Sequence, residues 1–173
     1  SEHMHFSGMG TQKIAEELSL LFPNARILRM DADSTMTRDS YSEYLSDFAK
    51  GKYDIMLGTQ MVAKGLDFPN VALVGVLGAE KGMYSEDYRS FERTFSLLTQ
   101  VVGRAGRGAT QGKAIIQTLD PDSNVIELAR AQDYEAFYNE EIGMRKITTY
   151  PPYCDICTLV AQGTDRECVK QAI

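Results

Sequence analysis

Four short apolar runs, alternating with stretches of helical periodicity, restrict what this chain can fold into more than any other feature. The runs are Arg26-Ile27-Leu28-Arg29-Met30, Asp54-Ile55-Met56-Leu57, Val71-Ala72-Leu73-Val74-Gly75-Val76-Leu77 and Lys113-Ala114-Ile115-Ile116-Gln117-Thr118. The second and third are apolar enough to predict strands buried on both faces. Strands alternating with helices at this spacing predict an α/β domain in three layers, with a mainly parallel central sheet and helices on both faces.

The intervening segments supply the helices. Thr11 is placed to cap a first helix whose apolar face is Ile14, Ala15, Leu18, Leu21 and Phe22, with Pro23 as a stop. A second carries Tyr41, Leu45 and Phe48 at i, i+4 and i+7, with Gly51 as its C′ residue. A long third helix presents Phe91, Phe95, Leu98 and Val102 on one side as a core stripe. After the turn Asp120-Pro121-Asp122 come helical stretches from Val125 to Ala131 and from Tyr134 to about Lys146. Tyr134, Phe137 and Tyr138 recur at helical spacing, which fits core packing better than a base-stacking platform.

Composition narrows the class. With 173 residues, 43% of them hydrophobic, the chain can bury one good core and a fragment of a second domain. A net charge of −6 argues against coating nucleic acid by bulk attraction, so any such contact has to be local. Three cysteines, an odd number, fit a reducing cytosol, and no apolar run is long enough for a membrane span. The expectation is a cytoplasmic protein without membrane association, monomeric as it stands. Cys154 and Cys157 make a single pair with only Cys168 near, whereas structural zinc takes four ligands, so no metal site is assigned. Ser1-Glu2-His3-Met4 reads as a cloning remnant, which removes His3, and with it His5, as ligands. Residues 1–10 are therefore remnant and linker, and 11–150 are one lobe. Tyr150-Pro151-Pro152-Tyr153 is a boundary, with 151–173 the beginning of a further domain and Thr158-Leu159-Val160-Ala161 its first strand.

Chemistry concentrates in two stretches. In Leu97-Leu98-Thr99-Gln100-Val101-Val102-Gly103-Arg104-Ala105-Gly106-Arg107-Gly108, the residues Gln100, Arg104 and Arg107 fall within about 60° of one another on a helix, opposite the apolar stripe. Arginine grips phosphate oxygens in a bidentate fork, although a solvated face is the ordinary use of such pairs. Gly103 and Gly106 each cost roughly 1 kcal/mol in a helix, so the close approach they permit is their expected purpose. The other stretch, Gly58-Thr59-Gln60-Met61-Val62-Ala63-Lys64-Gly65-Leu66-Asp67-Phe68-Pro69, follows a strand, where open α/β sheets bind ligands. Thr59 and Gln60 are suited to a nucleic-acid backbone, Gly58 and Gly65 to close approach, and Asp67 to ribose hydroxyls or an arginine. Taken alone, the same stretch also reads as a tight turn with Asp67 capping a local backbone group. The loop Gly82-Met83-Tyr84-Ser85-Glu86-Asp87 is polar, with acidic residues that disfavour DNA.

Together these stretches resemble motifs V and VI of superfamily 2 helicases. Gly10-Thr11-Gln12, Leu21-Phe22-Pro23, Gln132-Asp133-Tyr134-Glu135 and Tyr150-Pro151-Pro152 resemble the replication-restart helicases of the primosome in particular. DEAD-box RNA helicases fit less well, because they usually have His at Gln100 and Arg at Lys64. The resemblance implies a second RecA-like lobe that completes an ATP and Mg²⁺ site supplied mainly by a first lobe. This chain has neither a Gly-x-x-x-x-Gly-Lys-Ser/Thr loop nor an acidic Mg²⁺ motif. By the family pattern, Arg104 and Arg107 would act as arginine fingers on the γ-phosphate, and Gln100 would position nucleotide or attacking water. Asp67, Gly65 and Gly103 would serve the nucleotide, and Thr59, Gln60 and Lys64 the DNA strand. Implied partners are single-stranded and forked DNA and the primosome and replication-restart proteins, with 3′ to 5′ unwinding. The family's zinc ligands are not in this chain. The alternative is a catalytically silent RecA-like module for protein interaction.

Overall fold

The computed structural model describes residues 10–30, 38–59, 70–103, 112–158, 160 and 162–164, with 38 and 39 described in backbone only. Along the chain run α1 (Thr11–Leu21), β1 (Ile27–Met30), α2 (Arg38–Ala49), β2 (Ile55–Gly58), β3 (Leu73–Leu77), a 3-10 turn (Ala79–Gly82), α3 (Ser90–Val102), β4 (Lys113–Gln117), α4 (Asn124–Ala131) and α5 (Tyr134–Thr148). β1 pairs with β2 and β3 with β4, both in parallel, as a helix between paired strands requires. Met30 lies opposite Gly58 in the first ladder, and Leu73 opposite Lys113 in the second.

Local chemistry accounts for the element ends. α1 begins after Gly10 rather than after a Thr11 cap; Thr11 is its first residue, and the helix stops at Phe22 before Pro23. Gly51 takes φ of 74° after α2, the left-handed position its sequence context predicted. Its carbonyl accepts a hydrogen bond from Arg26 Nη2, and Arg26 also forks onto Asp54 at 2.9 and 2.8 Å. That fork joins the residues that open β1 and β2. It holds the Asp54 carboxyl well below the usual range, with burial opposing. α5 opens with Asp133, whose Oδ1 accepts the Ala136 N–H at 3.0 Å, and ends with Arg145 and Lys146 in its last turn, where the helix dipole favours cations.

The core sits between α3, α4, α5, the 3-10 turn and one face of the β3–β4 ladder. Leu98 is 1% exposed and Ala129 is fully buried, so the small side chain lets α4 lie close on α3. Phe95 stacks on Phe137 with centroids 4.0 Å apart. Val76 and Ile116 close the cluster from the sheet.

Four expectations are corrected here. The core stripe of α3 is displaced: Phe95 and Leu98 are buried, but Phe91 is 42% exposed while Ser90, Thr94 and Val101 are buried. The displacement follows from the 3-10 turn packing on that side, where a Cβ on Gly82 would stand 2.5 Å from Thr94 Oγ1. β2 is half-buried throughout, and β3 alternates, with Leu73 and Leu77 more than half exposed, so neither strand is buried on both faces. Only Phe137 of the α5 aromatics is core, because Tyr134 and Tyr138 lie toward solvent at 65% and 49% exposure, stacked on each other. Beyond Pro152, Thr158 and Val160 are not in a strand, and Leu159 and Ala161 fall outside the described residues.

Candidate functional site

Of the site residues read from the sequence, Thr59, Gln100 and Gly103 are described. Gln60, Lys64, Gly65, Asp67, Arg104 and Arg107 lie outside the described residues. Thr59 is exposed and follows Gly58, the last residue of β2, so it leaves the ladder at its carboxyl end. This is the end of a parallel sheet where loops gather ligands. Gln100 and Gly103 share the last turn of α3, with Gln100 exposed on the side away from Leu98.

That last turn is held from a neighbouring element. Gly103 closes α3 by donating its N–H to Thr99 O at 2.9 Å. The same carbonyl accepts a long bond, 3.4 Å, from Nε2 of Gln132, which comes from the junction between α4 and α5. A Cβ on Gly103 would lie 3.1 Å from both Gln132 Nε2 and Thr99 O. The close approach allowed by this glycine is thus occupied by the Gln132 amide. Gln132 entered the sequence reading only as part of the family resemblance, because nothing in spacing ties it to a turn 33 residues earlier.

At the carboxyl ends of β3 and β4 a second arrangement escaped sequence reading. Glu80, in the 3-10 turn, is 7% exposed and accepts the Leu119 N–H on Oε2 at 3.2 Å. Burial pushes its carboxyl up, but bonds from its own N–H, the Thr118 hydroxyl and Leu119 outweigh this and hold it below the ordinary value. The carboxylate therefore ties the turn after β3 to the chain leaving β4. The loop after it is anchored rather than loose: Met83 is buried, Asp87 accepts the Arg89 N–H at 2.9 Å and pairs with Arg93 at 2.7 Å. Tyr84 remains exposed.

Among the described residues no group of three or more His, Cys, Asp or Glu is placed to hold a metal ion, and Cys154 donates instead to Thr149 O at 2.8 Å. Cys168, His3 and His5 lie outside the described residues. No helix among the described residues is long and apolar enough to cross a membrane.

The family described as helicase conserved C-terminal domain matches residues 8–109. The chain is 53% identical to the replication restart protein PriA of Bacillus subtilis over 153 residues, covering 88% of this chain and 19% of that protein. It is 44% identical to PriA of Chlamydia trachomatis over 160 residues, 92% of this chain and 21% of that protein. With PriA of Synechocystis it shares 41% identity over 173 residues, all of this chain and 21% of that protein. The chain thus spans about a fifth of the length of the curated relatives it matches.

Proposed function

Because this chain belongs to the helicase conserved C-terminal domain family, with its RecA-like α/β fold, we propose that it is the second motor lobe of an ATP-driven DNA helicase. One observation carries the reading: α3 is fixed by its core face and ends in a turn where Gln100 is exposed and Val101 is buried, from which Arg104 and Arg107 follow directly in sequence. A first lobe outside this chain supplies the phosphate loop and the acids that hold Mg²⁺. Arg104 and Arg107 reach ATP bound there and stabilise charge on the γ-phosphate as it transfers to water. Gln100 orients the nucleotide or the attacking water. Asp67 binds the ribose or couples the nucleotide to DNA, while Gly65 lets backbone come close. Thr59, Gln60 and Lys64 hold phosphates of single-stranded DNA.

The relatives' role in replication restart supports the wider assignment: 3′ to 5′ unwinding at forked DNA, with primosome and replication-restart proteins as partners, in the cytoplasm. Resident zinc, where the intact protein carries it, is held by residues outside this chain.

The test is complementation. This chain alone should show negligible ATP hydrolysis, and the intact protein, or the chain rejoined to its first lobe, should hydrolyse ATP with strong stimulation by single-stranded DNA. Turnover by this chain alone, or an intact protein indifferent to DNA, would overturn the assignment. Partner binding that ignores both nucleotide and the two arginines would favour a silent interaction module.

A further inference from the structure

Residues past 109 lie beyond the stretch matched by the helicase family, yet α4 among them packs against α3, whose last turn precedes the arginines in sequence. We infer that Gln132 is a positioning residue for the last turn of α3, holding in place the turn that carries Gln100 and Gly103 and that precedes Arg104 and Arg107 in sequence. The inference rests on the function proposed above.

Three observations converge on Gln132. Its backbone is left-handed, with φ of 56°, a conformation few non-glycine residues adopt, at the end of α4. Glycine would take that backbone with less strain. The chain is locked on either side of it: Gln132 N–H bonds Ala129 O at 3.2 Å, Asp133 N–H bonds Leu128 O at 3.0 Å, and the Asp133 carboxylate caps α5. The amide therefore extends from a fixed base.

Its target is a carbonyl of the last helical turn, a group that α-helices leave short of partners. Thr99 O already takes the Gly103 N–H, and the Gln132 amide uses its second lone pair at 3.4 Å. Gly103 completes the fit, since any Cβ there would crowd both the amide and the Thr99 carbonyl at 3.1 Å. α4 itself cannot drift, with Ile126 and Ala129 buried in the core beside Leu98. Gln132 thus transmits the position of a rigid core helix to the turn that carries Gln100 and Gly103. A misplacement of about 1 Å at a reacting group costs on the order of 10²-fold in rate.

The experiment uses the intact helicase, with steady-state ATP hydrolysis on single-stranded DNA and thermal melts in parallel. Gln132→Ala and Gln132→Glu, the latter keeping the length but losing the donor, should each lower kcat by about tenfold to a hundredfold. KM for ATP, DNA affinity and Tm should stay close to those of the unchanged protein. Gly103→Ala, which displaces the amide, should give a similar loss that does not add to that of Gln132→Ala. Unchanged kcat in both Gln132 variants overturns the inference. So does a fall in kcat matched by a fall in Tm and in the folded fraction, since that is only structural support. Arg107→Ala in the same assay separates the two levels: if it is inactive while the Gln132 variants are normal, only this inference fails, and if it is active, the proposed function fails.

Discussion

Arg145, in the last turn of α5, donates from Nη2 to Glu92 Oε2 in the first turn of α3 at 2.8 Å, across 53 residues of sequence. The guanidinium also bonds Glu141 at 2.8 Å and Pro151 O at 3.3 Å, and lies 5.2 Å above the Tyr88 ring, which in turn stacks on Tyr150. One side chain therefore ties the start of α3 to the end of α5 and to the chain that follows it at Pro151.

Arg145 is only 14% exposed at its side chain, so its loss leaves two carboxylates and a carbonyl short of a donor. Arg145→Ala should cost about 2 kcal/mol, read by urea unfolding of this chain. Arg145→Lys should recover only part of that, because an ammonium cannot reproduce a planar fork shared among several acceptors. An unchanged midpoint in Arg145→Ala would show that the hub adds no stability.

Acid should loosen the same contact. Glu92 is held below the ordinary carboxylate value, first by the hydrogen bond from Arg89 and also by that from Arg145, with burial opposing. Glu80 is lowered too. A carboxyl lowered in the folded state stabilises fully above its unfolded pKa and loses that contribution as pH falls toward its folded pKa. Thermal melts should therefore be flat near neutrality and drop below about pH 4.3. Glu92→Gln should be less stable than the unchanged chain at pH 7, with the difference shrinking as pH falls. A constant difference down to pH 3 would contradict the assignment of Glu92.

Core packing gives a sharper magnitude. Leu98 contacts α4 where Ala129 is fully buried, so Leu98→Ala should cost about 3 kcal/mol by leaving a cavity that the helices cannot close. Ala129→Leu should cost about 1–3 kcal/mol by forcing α4 outward. Denaturant titrations measure both, and a neutral Ala129→Leu would mean the two helices are not closely packed.

Gly82 meets Thr94 too closely for any side chain. Gly82→Ala should destabilise by about 1–3 kcal/mol, since the buried Thr94 Oγ1 would stand 2.5 Å from the new methyl. Adding Thr94→Ala should return part of that loss, a non-additive pair in a double-mutant cycle.

How far the sequence led differs between elements. The helices and strands were legible because hydrophobic period and glycine or proline punctuation are local signals, and Gly51 and the Asp120-Pro121-Asp122 turn carry their own backbone chemistry. Burial was less legible, since it depends on which neighbour arrives. Phe91 lies outside the packed arc while the polar Ser90 and Thr94 lie inside it, because the 3-10 turn covers their side of α3. Tyr134 continues the Phe95–Phe137 cluster by periodicity but sits at its edge, with Phe95 at 6.3 Å. In the candidate site, residue chemistry and motif spacing single out Gln100, Gly103 and Thr59 without reference to any neighbour. They do not single out Glu80 and Gln132, because a buried carboxylate and an amide that reaches another helix acquire meaning only from partners distant in sequence.

On the proposed function, the segment after α3 supplies arginines to a nucleotide held by another lobe. The most direct test is steady-state and single-turnover ATP hydrolysis by the intact helicase carrying Arg104→Ala or Arg107→Ala, with ATP binding measured separately. Turnover should fall by about 10³–10⁵-fold for such an arginine, with most ATP affinity retained. Turnover within about tenfold of the unchanged enzyme in either variant, too little for transition-state charge stabilisation, would contradict it.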